Sequence, residues 1–313
     1  MTDEKQKIVL PDGTEAEQDA ETITKRSKER KTEDERFVPV IVKRTDEVRR
    51  HPDDSLQKAI EEGTEQIKRL KLSLMLSAIA AGLSVGFSAM AVAVVTDATK
   101  VLDSELLTRI ATAIVYPLGF VICVMSGAQL YTEHTATAVY PVLDGRASVG
   151  MLLRLWLTVI AGNLIGAAAS AYLLLLADPV VGAQAGYIAI GHHLVEYELL
   201  ALLVSAILAG WLMALGAWLV VSTGPDFSQM VAIYLVTFLI GVGGFHHSIV
   251  GSVEMFAAML SSSEFTVAQA ARYIGIALFG NLVGGSVFVA LLNYAHIRKT
   301  QPADGEGDQI EEP

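Results

Sequence analysis

Cysteine is almost absent from this 313-residue chain. Cys123, the one thiol, lies in an apolar run, which excludes an internal disulfide and any cysteine-based metal centre. Charge is scarce over most of the length. Of 23 Lys and Arg, 16 fall in residues 1–71, and residues 72–299 hold only seven, with eleven acids. A soluble domain carries about a quarter charged residues, so most of this chain lacks a water-facing surface and the bilayer is its expected solvent. The net charge of −11 offers nothing to nucleic acid. No apolar stretch precedes Leu72, so no secretory signal is expected at the N-terminus. There is no P-loop, no Gly-x-Gly-x-x-Gly and no His-Glu-x-x-His. Ser248 follows His247 directly, a spacing that cannot form a nucleophile–base pair on one helix. An enzyme is not expected, and no cofactor is called for.

What is present is apolar length. A helix needs about 20 apolar residues to cross the hydrocarbon layer, and six stretches qualify: Leu72–Val95, Ile110–Tyr131, Val149–Leu176, Leu199–Val221, Met230–Leu260 and Ala268–Tyr294. Their separators carry charge and turn chemistry, as in Asp144-Gly145-Arg146 and Gly224-Pro225-Asp226. Two spans read as broken. The second runs on through Glu133-His134 to Pro141, and the fifth contains Gly241-Val242-Gly243-Gly244 followed by His246-His247. Such irregular backbone is tolerated at membrane depth where it lines a cavity or is buried in protein.

The Lys/Arg bias sets an expected orientation. With the N-terminus inside, Lys68, Arg69, Lys71, Arg146, Arg298 and Lys299 are cytoplasmic, and the other side keeps Lys100, Arg109 and Arg272. The protein is then a multi-pass protein of the inner or plasma membrane with both termini in the cytoplasm. Residues 1–53 read as a charged arm, mostly disordered. Residues 54–71 read as an amphipathic helix on the membrane surface, capped by Asp54 or Ser55, or equally as a solvated linker helix. Residues 72–297 form the six-helix membrane domain, and 298–313 an acidic tail.

The third and sixth spans share a hexapeptide: Gly162-Asn163-Leu164-Ile165-Gly166-Ala167 and Gly280-Asn281-Leu282-Val283-Gly284-Gly285. Three spans lie in each half, so the second half is inverted relative to the first, a plan many transport proteins use. Small residues four apart also occur wherever helices pack closely in lipid. The recurrence of an asparagine argues further, because a buried amide needs partners and two of them imply a shared polar centre. The fold class is all-α integral membrane: six transmembrane helices as an inverted 3+3 repeat with broken second and fifth helices.

These residues resemble the formate/nitrite transporter family. Gly244-Phe245-His246-His247-Ser248-Ile249 is similar to that family's Gly-Phe-Glu-His-Ser-Val/Ile, and Gly127-Ala128-Gln129-Leu130-Tyr131-Thr132 to its Gly-x-x-Leu-Phe-Thr. The two Gly-Asn-x-x-Gly motifs match its third and sixth helices. Ala209-Gly210-Trp211-Leu212, with Trp218, looks like its Cys-Asn-Trp-Leu. The resemblance covers roughly residues 55–297 in order and spacing. It implies an aquaporin-like protomer with its own pore, a homopentamer in membrane lipid, and passage of small monovalent weak-acid anions such as formate, nitrite or hydrosulfide. It also implies that His247 is the central pore histidine and Thr132 its partner, with Asn163 and Asn281 on the pore side. Phe120, Leu130, Tyr131 and Ile240 align with apolar constriction positions. The chain departs from the pattern at His246 (glutamate in the family), Gly251 and Gly210 (asparagine), at Glu133 and His134 (small or neutral), and at Glu254 (apolar). Residues 178–197, expected as a long outer loop, contain no Lys or Arg where the family's vestibules are basic. A divergent branch is expected.

Chemically, His247 is the side chain whose ordinary pKa lies nearest neutrality, so it could share a proton with a crossing solute. Thr132 supplies a hydroxyl that both donates and accepts. His246, Ser248, Glu133, His134 and Glu254 are further intramembrane polar candidates. Glu254, seven residues after His247, falls on the same helical face, and a carboxylate in the pore would repel anions. His192 and His193 read as solvated loop residues. Three other readings stay open: a pore for a neutral solute, a route for a metal ion using the His/Glu cluster, or a scaffold or sensor working through the N-terminal arm.

Overall fold

A computed structural model describes residues 52–299, and everything it describes is helix or connection. Six helical stretches are long and apolar enough to cross a membrane. The expectations for residues 1–51 and for the acidic tail from residue 300 lie outside the described residues.

Helix α1 (Pro52–Lys68) buries Leu56, Ala59, Ile60 and Ile67 on one face. The first span, Lys71–Leu102, contains α2 (Lys71–Ser84) and α3 (Gly86–Thr99), joined at Val85. The second, Glu105–Met125, joins α4 (Glu105–Val115) to α5 (Pro117–Met125). Pro117 has no N–H to continue the ladder, and the fully buried Ser88 bridges the joint. Its hydroxyl donates to Tyr116 O (2.6 Å) and accepts from Gly119 N (3.0 Å). Gly127 then turns the chain with φ 68°, a conformation glycine adopts without strain. The chain resumes as the short α6 (Tyr131–Thr137) and α7 (Tyr140–Leu143).

The third span is α8 (Val149–Leu176), capped by Ser148. The stretch expected to be a loop is instead α9 (Asp178–Val181) and α10 (Gln184–Val195), which pack back on the bundle through Tyr187, Ile190 and Leu194. No charge pattern marks this helix, so its existence rests on burial rather than on amphipathic sequence. Then follow α11 (Leu199–Ser222) and the fifth span as two pieces, α12 (Asp226–Gly243) and α13 (Ser248–Ser261). The sixth span begins at a capping box formed by Thr266 and Gln269, runs as α14 (Val267–Gly285), and ends in a π-helical turn and α15 (Leu292–Lys299).

The inverted repeat is explicit in the packing. Helix α2 lies along α8, and α11 lies along α14. A Cβ on Gly82 would collide with the backbone of Asn163 and Gly166, and a Cβ on Gly210 with that of Asn281. Close approach of this kind is how membrane helices associate without a hydrophobic driving force between them. Leucine, isoleucine and valine face outward along the spans, as at Leu157, Ile165, Leu173, Leu200 and Leu235.

Candidate functional site

Both helix breaks are held by the repeated asparagines, and the bonding is the same twice. Asn163 Oδ1 accepts from Tyr131 N (2.9 Å), while its amide donates to Ala78 O (2.8 Å) and Gln129 O (2.9 Å). Asn281 Oδ1 accepts from Ser248 N (2.8 Å), and its amide donates to Ala206 O (2.7 Å) and His246 O (3.1 Å). Each asparagine therefore satisfies the first amide of a half-helix and the carbonyl two residues before it. Both are fully buried. Their geometry is that of structural clamps beneath the breaks.

This symmetry makes Leu130 and His247 equivalent. Both are N-caps, with φ −97°, ψ 131° and φ −89°, ψ 128°. His247 Nδ1 accepts from Ile249 N and Val250 N, both at 3.3 Å, so the ring itself caps α13. With Nδ1 accepting, the neutral ring carries its proton on Nε2, which donates to Thr132 Oγ1 at 2.9 Å. The Thr132 hydroxyl hydrogen is then left to serve another acceptor. The N-termini of α6 and α13 meet at this one bond.

Two cavities approach it from opposite sides. One, of about 480 Å³, is lined by Thr112, Tyr116, His193, Ile240, His246, His247, Glu254 and Tyr273, with Lys100 and Arg109 farther out. It is the α10 vestibule. The other, of about 160 Å³, is lined by Glu62, Gln66, Val124, Gln129, Glu133, His134 and Thr237. It is the α1 vestibule. Along the second span the α10 cavity takes Tyr116 and the α1 cavity Val124; Phe120, between them, lines neither and is fully buried. Phe120 packs edge-on to the His247 ring, with centroids 5.0 Å apart. Phe120 and the Thr132–His247 bond lie together at the helix breaks, and Ile240 lines the α10 cavity with His247.

Of the residues expected here, the structure joins His247 to Thr132 and Phe120, and sets Ile240 beside His247 in the α10 lining. Tyr131 does not face the cavities: its hydroxyl donates to Leu278 O, and the ring packs on α14. Ser248 contributes its amide to Asn281. Glu133 and His134 line the α1 vestibule, and Glu254 lines the α10 vestibule, so the three separate to the two sides of the constriction. Among the described residues no group of three or more His, Cys, Asp or Glu could hold a metal ion.

Other residues join from places the sequence did not single out. His193, expected in solvent, stacks on His246 (13° between ring planes, 5.8 Å) and reaches Tyr197 Oη at 3.0 Å. Partial burial, with Glu196 beside it, raises the Tyr197 phenol above its ordinary pKa. His246 Nδ1 meets Ser205 Oγ at 2.8 Å. The cations at the α10 vestibule, Lys100 and Arg109, come from the adjoining ends of the first two spans, not from the stretch before α11. The one available signal was that Lys100, Arg109 and Arg272 were the basic residues left on that side.

A family model, Formate/nitrite transporter, matches residues 53–295. The chain belongs to the formate/nitrite transporter family. It is 34% identical over 247 residues to "Inner membrane protein YfdC" of Escherichia coli, covering 76% of each chain. It is 28% identical over 207 residues to "Probable formate transporter" of Methanothermobacter thermautotrophicus, covering 59% of this chain and 74% of that one. In fold it matches an "FNT family ion channel" with a TM-score of 0.71 at 18% identity, covering 78% of this chain and 99% of that one. A "Pentameric formate channel with formate bound" matches with a TM-score of 0.62 at 21% identity, over 73% and 98%. The protein is thus a membrane channel of the formate/nitrite transporter family, with a transport role rather than an enzymatic one.

Two departures from the family pattern have a physical reason here. At Gly210 any side chain would strike the Asn281 backbone. At Gly251 the space beside the helix is filled by the Tyr273 hydroxyl, which donates to His247 O at 3.2 Å. A tyrosine from α14 thus braces the break, in the position where an asparagine would crowd it.

Proposed function

We propose that this chain conducts small monovalent anions of weak acids, of the formate, nitrite or hydrosulfide class, through the path between the two vestibules. The observation that carries the reading is the Nε2–Oγ1 bond of His247 and Thr132 inside an apolar constriction. It leaves a hydroxyl donor where a small oxygen-bearing solute must pass, and the α13 N-terminus adds the positive end of a helix dipole. Such donors offset part of the desolvation cost that excludes ions from apolar surroundings. The Nε2–H of His247 orients the Thr132 hydroxyl, Thr132 offers the O–H, and Phe120, Leu130 and Ile240 set the width.

The pentameric relative and the outward-facing apolar surfaces support a homopentamer in lipid with one path per protomer. The Lys/Arg distribution supports both termini in the cytoplasm, with α1 at the inner face. In that orientation the α10 vestibule is external. Residues 1–53 are proposed as a separate cytoplasmic arm, 54–71 as a helical segment at the membrane surface, 72–297 as the channel and 298–313 as a tail.

Reconstitution into liposomes tests this directly. Entry of formate, nitrite and hydrosulfide is followed against pH, beside His247→Ala. Flux that rises with acidity and drops in the variant supports the weak-acid reading. No flux of any of the three from intact oligomers sinks it, and turns attention to neutral solutes.

A further inference from the structure

The His247 ring is poorly placed to give a solute its proton. Nδ1 faces two backbone amides, so loading a second proton there breaks the α13 cap, and the remaining hydrogen on Nε2 is held by Thr132. A weak acid that crosses in neutral form therefore needs a proton from elsewhere on the path.

One group is placed to supply it. Glu254 lies two turns after His247 on α13, is 6% exposed, and lines the same α10 cavity as His247. It has no hydrogen bond or ion pair among the described residues. A carboxylate without a cation beside it is costly in a low-dielectric site, whereas a carboxylic acid is a hydrogen-bond donor and a proton source. Tyr116 from the α4–α5 joint and Tyr273 from α14 line the same cavity as Glu254, and α10, which packs on α13, carries Tyr187. The Tyr187 hydroxyl is itself buried without a partner, and the Tyr273 hydroxyl is engaged with His247 O. Helices α2, α3 and α8, the other elements packed on α13, bring no charged side chain to this cavity. Its remaining charged and titratable groups are His193 and His246 along the side, and Lys100, Asp103, Glu105 and Arg109 toward the mouth.

We propose that Glu254 is the proton donor of the α10 vestibule. Its carboxyl hydrogen passes to the solute anion before the constriction, the solute enters the apolar section as the neutral acid, and the Glu254 carboxylate recovers a proton from vestibule water. The cavity has room for that water. On the far side the acid returns its proton to solvent, so one proton accompanies each anion. This inference rests on the weak-acid reading above. It adds a residue that the family pattern does not contain.

The test compares full-length wild type with Glu254→Gln, which keeps the shape and a hydrogen-bond donor but cannot give up a proton. Formate entry into liposomes is measured at about pH 7.5, where formate is almost wholly anionic, and at about pH 4.5, near the acid's own range. Glu254→Asp serves as the conservative variant, and oligomer size after purification checks folding. The expected result is a loss of roughly tenfold or more at the higher pH, little loss at the lower pH, and partial recovery in Glu254→Asp. An equal loss at both pH values would mean a packing role and overturn the proposal, as would a superimposable profile or faster entry. If Glu254→Gln does not assemble, Glu254→Asp against wild type at the same two pH values decides, with a pH-independent change overturning the proposal. Absence of flux in wild type instead removes the weak-acid reading on which it stands.

Discussion

At position 130 the first half of the channel caps its half-helix with leucine; at the matching position 247 the second half uses histidine. Around these two residues the backbone angles, the asparagine clamp and the close helix pairing are the same. The polar chemistry is not. Leu130 has no side-chain donor or acceptor, while His247 caps α13 through one nitrogen and holds Thr132 through the other. The flanking vestibules differ in the same way. The α1 side carries Glu62 and Glu133 and no Lys or Arg in its lining, whereas the α10 side sets Lys100 and Arg109 among Asp103, Glu105 and Glu254. An inverted repeat thus supplies a symmetric scaffold, and a few substitutions at its centre make the path directional in chemistry.

The comparison is broken most severely by removing a clamp. Asn281→Leu strands Ser248 N and His246 O, and Asn163→Leu strands Tyr131 N and Gln129 O, while the helical carbonyls of Ala206 and Ala78 each lose a second donor. At about 1–3 kcal/mol for each buried unsatisfied group, both variants should lose several kcal/mol and much of their folded yield, measurable as thermal stability in detergent. Similar losses confirm equivalent clamps; a loss confined to one half ends the equivalence.

The next largest effect separates the two caps. His247→Ala should lower weak-acid flux by about tenfold or more, because both the α13 capping acceptor and the group that orients the Thr132 hydroxyl are lost. Leu130→Ala should leave flux intact or raise it by widening the constriction. Flux assays on both variants decide, and equal losses would mean the histidine contributes only packing.

Thr132→Val keeps the shape but removes the hydroxyl. We expect flux to fall several-fold with stability within about 1–2 kcal/mol, the scale of one hydrogen bond. Gly210→Ala instead forces α11 off Asn281, and should cost about 1–3 kcal/mol in stability. The smallest effect belongs to the α10 vestibule. Arg109→Gln should weaken apparent anion affinity by a few-fold at low salt, and less in high salt as screening takes over. A salt-independent change would place Arg109 in direct contact with the solute instead.

Much of this was legible from residues alone. Apolar length located all six spans, because the bilayer imposes a minimum run. The run of the second span through Glu133-His134 to Pro141 and the Gly241–Gly244 cluster located both breaks, and the repeated Gly-Asn-x-x-Gly located the two asparagines, whose hydrogen bonds make them clamps. What stayed hidden depended on partners distant in sequence. His193 lies 53 residues before His246, and only the packing of α10 against α13 stacks the two rings. Nothing in the sequence pairs Tyr273 with Gly251, yet its hydroxyl occupies the space that this glycine leaves. Tyr131, in a motif that suggested the pore, turned toward α14 because Leu278 O offered its hydroxyl a partner.

The sequence by itself determined the membrane class, the number of spans and the inverted halves, since each follows from local hydropathy and a short repeated motif. The direction each polar side chain faces was decided only by the tertiary structure. An intramembrane glutamate reads the same on paper wherever it sits. Packing assigned Glu254 to one vestibule and Glu133 to the other, because a buried polar group settles where helices from elsewhere in the chain leave it a cavity or a partner.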